Sequence, residues 1–118
     1  MRKISKVQNN EQIKRLLLDQ TENGLFLFLY DRQEDSPCKF ELWFETLEDL
    51  YRDCQNSFEI QEYDWIEIPD VPEGCHQDWI ASVRVKGRNV GKPLFGKFES
   101  LENGVWVDID QQGKRVLL

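Results

Sequence analysis

Six consecutive apolar residues, Leu25-Phe26-Leu27-Phe28-Leu29-Tyr30, constrain the fold more than any other stretch of this chain. Successive side chains of an extended strand point to opposite faces, so a run apolar at every position must be buried on both sides. The run reads as a central strand of a sheet covered on both faces. It falls far short of the roughly twenty residues that span a bilayer as a helix. After it, Lys39 to Glu45 alternates, with Phe40, Leu42 and Phe44 on one face and Lys39, Glu41, Trp43 and Glu45 on the other. That is the pattern of a half-buried strand, and the polar turn at 31–37 joins the two runs into a hairpin.

Helical signals flank this hairpin. Ile13, Leu16 and Leu17 recur at helical spacing, which predicts a first helix over 10–20, capped by Asn9 or Asn10 and stopped at Asn23-Gly24. Thr46-Leu47-Glu48-Asp49 has the form of a capping box and opens a second helix. Its apolar side is Leu47, Leu50, Tyr51 and Cys54; Glu48, Asp49 and Asp53 face solvent. Further strands are expected at Trp65–Ile68, Trp79–Arg88, Leu94–Leu101 and Val105–Ile109, with Asn103-Gly104 as a two-residue hairpin turn and a last short strand at Arg115–Leu117. Residues 69–78, with two prolines and a glycine, are a loop. The order α-β-β-α-β-β-β-β implies an α+β fold, a twisted antiparallel sheet of about six strands with two helices. At 118 residues one domain over 1–118 is expected, with a core large enough to need no disulfide or metal.

Charge is segregated. The net charge is −7, but residues 1–18 carry +4, residues 19–80 carry −14, residues 81–98 carry +5 without a single acid, and the last twenty carry −2. The blocks either pair across the fold or leave a negative face that steers a basic partner. This balance argues against nucleic acid as the main ligand. Arg84, Lys86 and Arg88 fall on one face of one strand and repel unless answered, so they are expected to pair with carboxylates of the 19–80 block.

Cys38, Cys54 and Cys75 form an odd set without a CxxC pair, which predicts free thiols in a reducing cytoplasm rather than a disulfide framework. The basic start (Arg2, Lys3, Lys6) leads into Val7-Gln8-Asn9-Asn10, so no secretory signal is expected.

Chemistry-bearing residues are sparse. Lys86 to Pro93 imitates a phosphate loop, but its spacing is one residue short, Pro93 stands where a hydroxyl is needed, and no helix follows. It reads as a basic hairpin loop. Asp108-x-Asp110-x-Gln112-Gly113 imitates the start of a calcium loop without flanking helices and reads as a turn. Cys75, His76 and Asp78 are the one crowding of catalytic residue types, although neighbours in sequence diverge in direction and a nucleophile needs its base within hydrogen-bond reach. One histidine and three scattered cysteines provide no zinc spacing, so no metal or cofactor is expected. The acid pairs Glu34-Asp35, Glu48-Asp49, Asp64 with Glu67, and Asp70 with Glu73 read as a solvated face.

Two functions from different classes follow. One is a non-catalytic cytoplasmic protein-interaction domain, of the inhibitor or immunity type, monomeric or weakly dimeric and without membrane or nucleic-acid contact. Its acidic face, with Trp43, Glu48, Asp49, Asp53, Asp64 and Glu67 as contact residues, binds a basic protein. The other is an enzyme or small-ligand binder using the 70–79 loop. A pocket converging on His76 favours the second; an acidic, aromatic-studded face favours the first.

Overall fold

The computed structural model describes residues 1–33, 36–110 and 113–116; the pair Glu34-Asp35 and the end of the expected last strand lie outside the described residues. The architecture is α+β with antiparallel sheets. Its elements are β1 (Arg2–Lys6), β2 (Arg15–Thr21), β3 (Gly24–Tyr30), β4 (Phe40–Phe44), α1 (Leu47–Phe58), β5 (Ile66–Ile68), β6 (Val83–Val85), β7 (Phe98–Glu102) and β8 (Val105–Ile109). They form two compact units, Met1–Asp70 and Val71–Leu118. Where about six strands and two helices were expected, the described residues hold eight strands and one α-helix.

The first unit is a five-stranded sheet in the order β4-β3-β2-β1-β5 with α1 packed on one face. Leu16 and Leu18 of β2, Leu25, Leu27 and Leu29 of β3, Leu50 and Cys54 of α1, and Trp65 make the core on that face. On the opposite face Leu17, Phe28 and Tyr30 are buried as well, together with Arg2, Arg15 and Asp19. The apolar run over 25–30 is thus an interior strand buried on both sides, as its composition requires.

The helix expected over 10–20 is instead strand β2. Leu16-Leu17-Leu18 satisfies a helical stripe and a doubly buried strand equally well, and pairing on both sides decides for the strand: Leu17 faces Ile4 of β1 and Phe28 of β3. Asn10 spends its capping chemistry on a turn, its Oδ1 accepting the N–H groups of Gln12 and Ile13 at 2.8 Å each. Asn23-Gly24 does not stop a helix but closes the β2–β3 hairpin, where Thr21 pairs with Gly24. Strand β1 carries a single apolar residue, Ile4, and its sequence gives no strand signal.

Gly24 sits at φ +128°, and a Cβ there would lie 2.2 Å from the indole Nε1 of Trp43. Trp43 therefore packs over the bare backbone of the neighbouring strand. Gly24→Ala combines backbone strain with displacement of that ring, and is expected to cost about 2–3 kcal/mol in urea unfolding. A change below measurement error would show that the contact is dispensable.

Helix α1 begins as its capping box predicts: Thr46 is extended and its Oγ1 accepts the N–H of Asp49 at 3.1 Å. Its end is a left-handed Glu59, whose N–H donates to the Gln55 carbonyl. Strand β4 departs from its predicted half-burial. Phe40, Leu42 and Trp43 are 52, 41 and 55 % exposed because β4 is the edge of the sheet.

The second unit is the sheet β6-β7-β8. The strand expected over Trp79–Arg88 shrinks to Val83–Val85, since Gly87 at φ 81° turns the chain and Trp79 is engaged in an aromatic stack. The strand expected from Leu94 begins only at Phe98. Asn103 (φ 50°) and Gly104 (φ 78°) form the left-handed two-residue turn that their sequence predicts. Gly113 takes the left-handed turn position at φ 82°, and Arg115 makes a single bridge to Ile109.

The basic residues of β6 find acids nearer than the 19–80 block. Arg84 stands opposite Glu99 of β7, which stands opposite Asp108 of β8. Arg84 Nε meets Glu99 Oε1 at 2.7 Å, Lys86 Nζ meets Asp108 Oδ2 at 2.7 Å, and the Arg84 guanidinium lies 3.7 Å from the centre of the Trp106 ring. Cross-strand register, which the segment charges do not reveal, makes the Arg84–Glu99 pair, while Lys86, one residue past the end of β6, reaches Asp108 on β8. Arg88 is not on the strand at all; it begins the 3-10 turn Arg88–Val90.

Candidate functional site

The 70–79 loop holds its catalytic residue types in structural positions. The His76 ring stacks on Trp79 with centroids 5.1 Å apart and planes 17° apart, and Trp79 leans on Phe98 of β7 at 5.5 Å. The Trp79 N–H donates to the His76 carbonyl, and the Cys75 N–H to the Pro72 carbonyl. Cys75 is joined to Arg84 by an isolated β-bridge. These contacts anchor the loop to its sheet through an aromatic ladder with His76 as its outer rung.

The predicted contact residues do not form one surface. Trp43 lies on β4 at one edge of the five-stranded sheet and Glu67 on β5 at the other, four strand spacings or about 19 Å away. Asp64 belongs to a 3-10 turn beside β5, where its Oδ2 accepts the Gln61 N–H at 2.8 Å. Glu48, Asp49 and Asp53 lie on α1, and Asp49 pairs with Arg52 at 3.3 Å. Glu48 and Asp49 lie close to β4 in the chain, because α1 starts three residues after β4 ends, but Trp43 pairs with Phe26 and so projects from the sheet face opposite the one on which α1 packs.

What the sequence reading missed is the character of β4 itself. Among the described residues no strand neighbours its outer edge, so every second residue turns an N–H and a C=O outward. Phe40 and Leu42 project on one face, Trp43 and Glu41 on the other, all exposed. Glu41, Glu45, Glu48, Asp49 and Asp53 outnumber Lys39 and Arg52, giving residues 39–53 a net charge of −3. An exposed apolar edge in an acidic surround is the least ordinary surface of this unit, since edges are commonly blunted against strand addition. The signal was present: β4 is followed by a helix rather than another strand, which permits an edge position.

A cleft of about 480 Å³ lies in the same unit, lined by Ile4, Lys6, Arg15, Glu59, Asp64 and Ile66 among others. Its acids are engaged internally. Glu59 Oε2 accepts from Asn9 Nδ2 at 2.6 Å, and Asp64 caps its own turn. The Arg15 guanidinium lies 4.6 Å from the centre of the Tyr30 ring. The cleft contains none of residues 70–79.

No disulfide joins the cysteines: Cys54 is buried, and Cys38 and Cys75 are half-buried. Desolvation, with a smaller contribution from Asp53, pushes the Cys54 thiol up to about 12. A thiolate is the reactive species, so Cys54 should resist a thiol reagent at neutral pH in the folded protein while Cys38 and Cys75 react. All three should titrate after denaturation. Rapid labelling of Cys54 in the folded state would show that α1 opens readily.

Among the described residues no three His, Cys, Asp or Glu side chains are grouped to hold a metal ion, and no helix is long and apolar enough to cross a membrane. No protein-family model, no curated protein and no solved structure matches this chain.

Proposed function

We propose that this chain is a non-catalytic cytoplasmic protein-binding module of the inhibitor or immunity type, and that β4 with the first turns of α1 holds a basic protein partner. The observation that carries this reading is the β4 edge, apolar on both faces, unpaired along its backbone and set in an acidic surround. Such an edge can add a strand from another protein, main-chain hydrogen bonds supplying affinity and alternate side chains supplying selectivity. Trp43 supplies a large ring held in place over Gly24, the kind of residue that dominates binding energy. Glu41, Glu45, Glu48 and Asp49 would speed encounter with a positive partner and make it salt-sensitive. The acids at Asp64 and Glu67, on the far edge, contribute only to the long-range field.

The test uses the immobilised chain against lysate of its own source cells. A basic protein should be captured at low salt, released at high salt, and lost when Leu42→Lys or Glu48→Lys with Asp49→Lys is immobilised instead. Capture that survives all of these substitutions would refute the reading.

A further inference from the structure

The loop over 88–97 joins β6 to β7, and every one of its residues is exposed. It is nevertheless closed by its own backbone. Lys92 N–H donates to the Gly87 carbonyl at 3.0 Å, Leu94 N–H to Lys86 at 2.8 Å, and Lys97 N–H to Leu94 at 3.0 Å. Gly87, Gly91 and Gly96 take left-handed φ values, and a Cβ at Gly87 would lie 2.3 Å from the Lys92 carbonyl oxygen. A loop fixed in this way displays its side chains instead of folding them inward.

Those side chains are of two kinds. Val90, Leu94 and Phe95 are exposed, Phe95 to 85 %. Lys92 stands between them, and Arg88 and Lys97 flank them. Arg84 and Lys86, the other two bases of this acid-free segment, are neutralised by Glu99 and Asp108. Among the described residues no carboxylate pairs with Arg88, Lys92 or Lys97. The unit Val71–Leu118 has seven bases against six acids, so within it the loop's three positive charges are not swamped.

We propose that this loop docks the protein onto anionic membrane surfaces. Leu94 and Phe95 enter the boundary between headgroups and acyl chains, while Arg88, Lys92 and Lys97 meet the negative lipid headgroups. Docking of this kind is peripheral and needs no spanning helix. The aliphatic residues favour lipid over nucleic acid. A single strand would stack a base on Phe95 but would offer Val90 and Leu94 nothing comparable to hydrocarbon. Each cation near an anionic surface raises affinity about fivefold, so three should favour anionic over neutral lipid about a hundredfold. This inference is independent of the β4 edge.

The experiment is co-sedimentation of the full chain with phosphatidylcholine vesicles containing about 30 % phosphatidylserine, and with phosphatidylcholine alone. Binding should be about a hundredfold stronger to the anionic vesicles. Lys92→Gln with Lys97→Gln should weaken it about 25-fold, and Leu94→Ser with Phe95→Ser at least tenfold. Unchanged circular dichroism and thermal melting would show that these exposed substitutions leave the fold intact. Absence of vesicle binding, equal binding to both vesicle types, or binding indifferent to the loop substitutions would overturn the proposal. So would loop-dependent binding to a mixed-sequence RNA oligonucleotide with none to vesicles.

Discussion

Leu18→Ala is expected to lower the unfolding free energy by about 3–4 kcal/mol, read from urea titration followed by tryptophan fluorescence. Leu18 is fully buried on β2, the middle strand of the five, facing the same core as Leu50 and Cys54 of α1. The deletion leaves a cavity where strand pairing on both sides prevents collapse. Leu42→Ala, the same chemical change at an exposed edge position, should cost less than about 1 kcal/mol while weakening partner capture. Equal losses at the two positions would mean that β4 is not the open edge described above.

Glu99→Ala is the second large effect, expected at about 3 kcal/mol. The Arg84 and Glu99 side chains are only 12 and 11 % exposed, so removing one partner strands a charge that water reaches poorly. Arg84→Met with Glu99→Leu should recover most of the loss, because an apolar pair needs no desolvation. A single-variant loss that the double variant fails to recover would show that the ion pair itself, rather than the stranded charge, sets the stability. Lys86→Gln should have a small effect that fades in high salt, since that pair is partly solvated. The hydrogen bond to Asp108 raises the Lys86 pKa above 10.5. Its contribution is therefore complete at neutral pH and is lost as pH climbs from the ordinary lysine value through the raised one.

The elements legible in the sequence are those whose signal is local. Thr46 with Asp49 marks the start of α1, Asn103-Gly104 marks a hairpin, and the six apolar residues of β3 mark an interior strand, because each pattern has one physical reading. Strand β2 was ambiguous. Three adjacent leucines satisfy both periods, and the choice belongs to β1 and β3, its neighbours in space. Strand β1 was silent, since its place comes from pairing to β2 and β5 rather than from its own polarity. The same division governs the site. Trp43, Glu48 and Asp49 were legible as polar-side residues of a strand and a helix, whereas the exposure of Phe40 and Leu42 depends on nothing pairing beyond β4. Cys75 and His76 drew suspicion by residue type alone; an aromatic stack explains the histidine.

Hydrogen exchange, measured by mass spectrometry on the chain alone and with its captured basic partner, tests the β4 edge most directly. In the free protein the outward amides of 40–44 should exchange quickly, as unpaired edge amides do. With the partner bound, slowed exchange is expected in 40–44, the segment that would gain a strand neighbour. Protection confined to 70–79 with β4 unchanged would contradict the β4 site and place binding at the loop that holds Cys75 and His76.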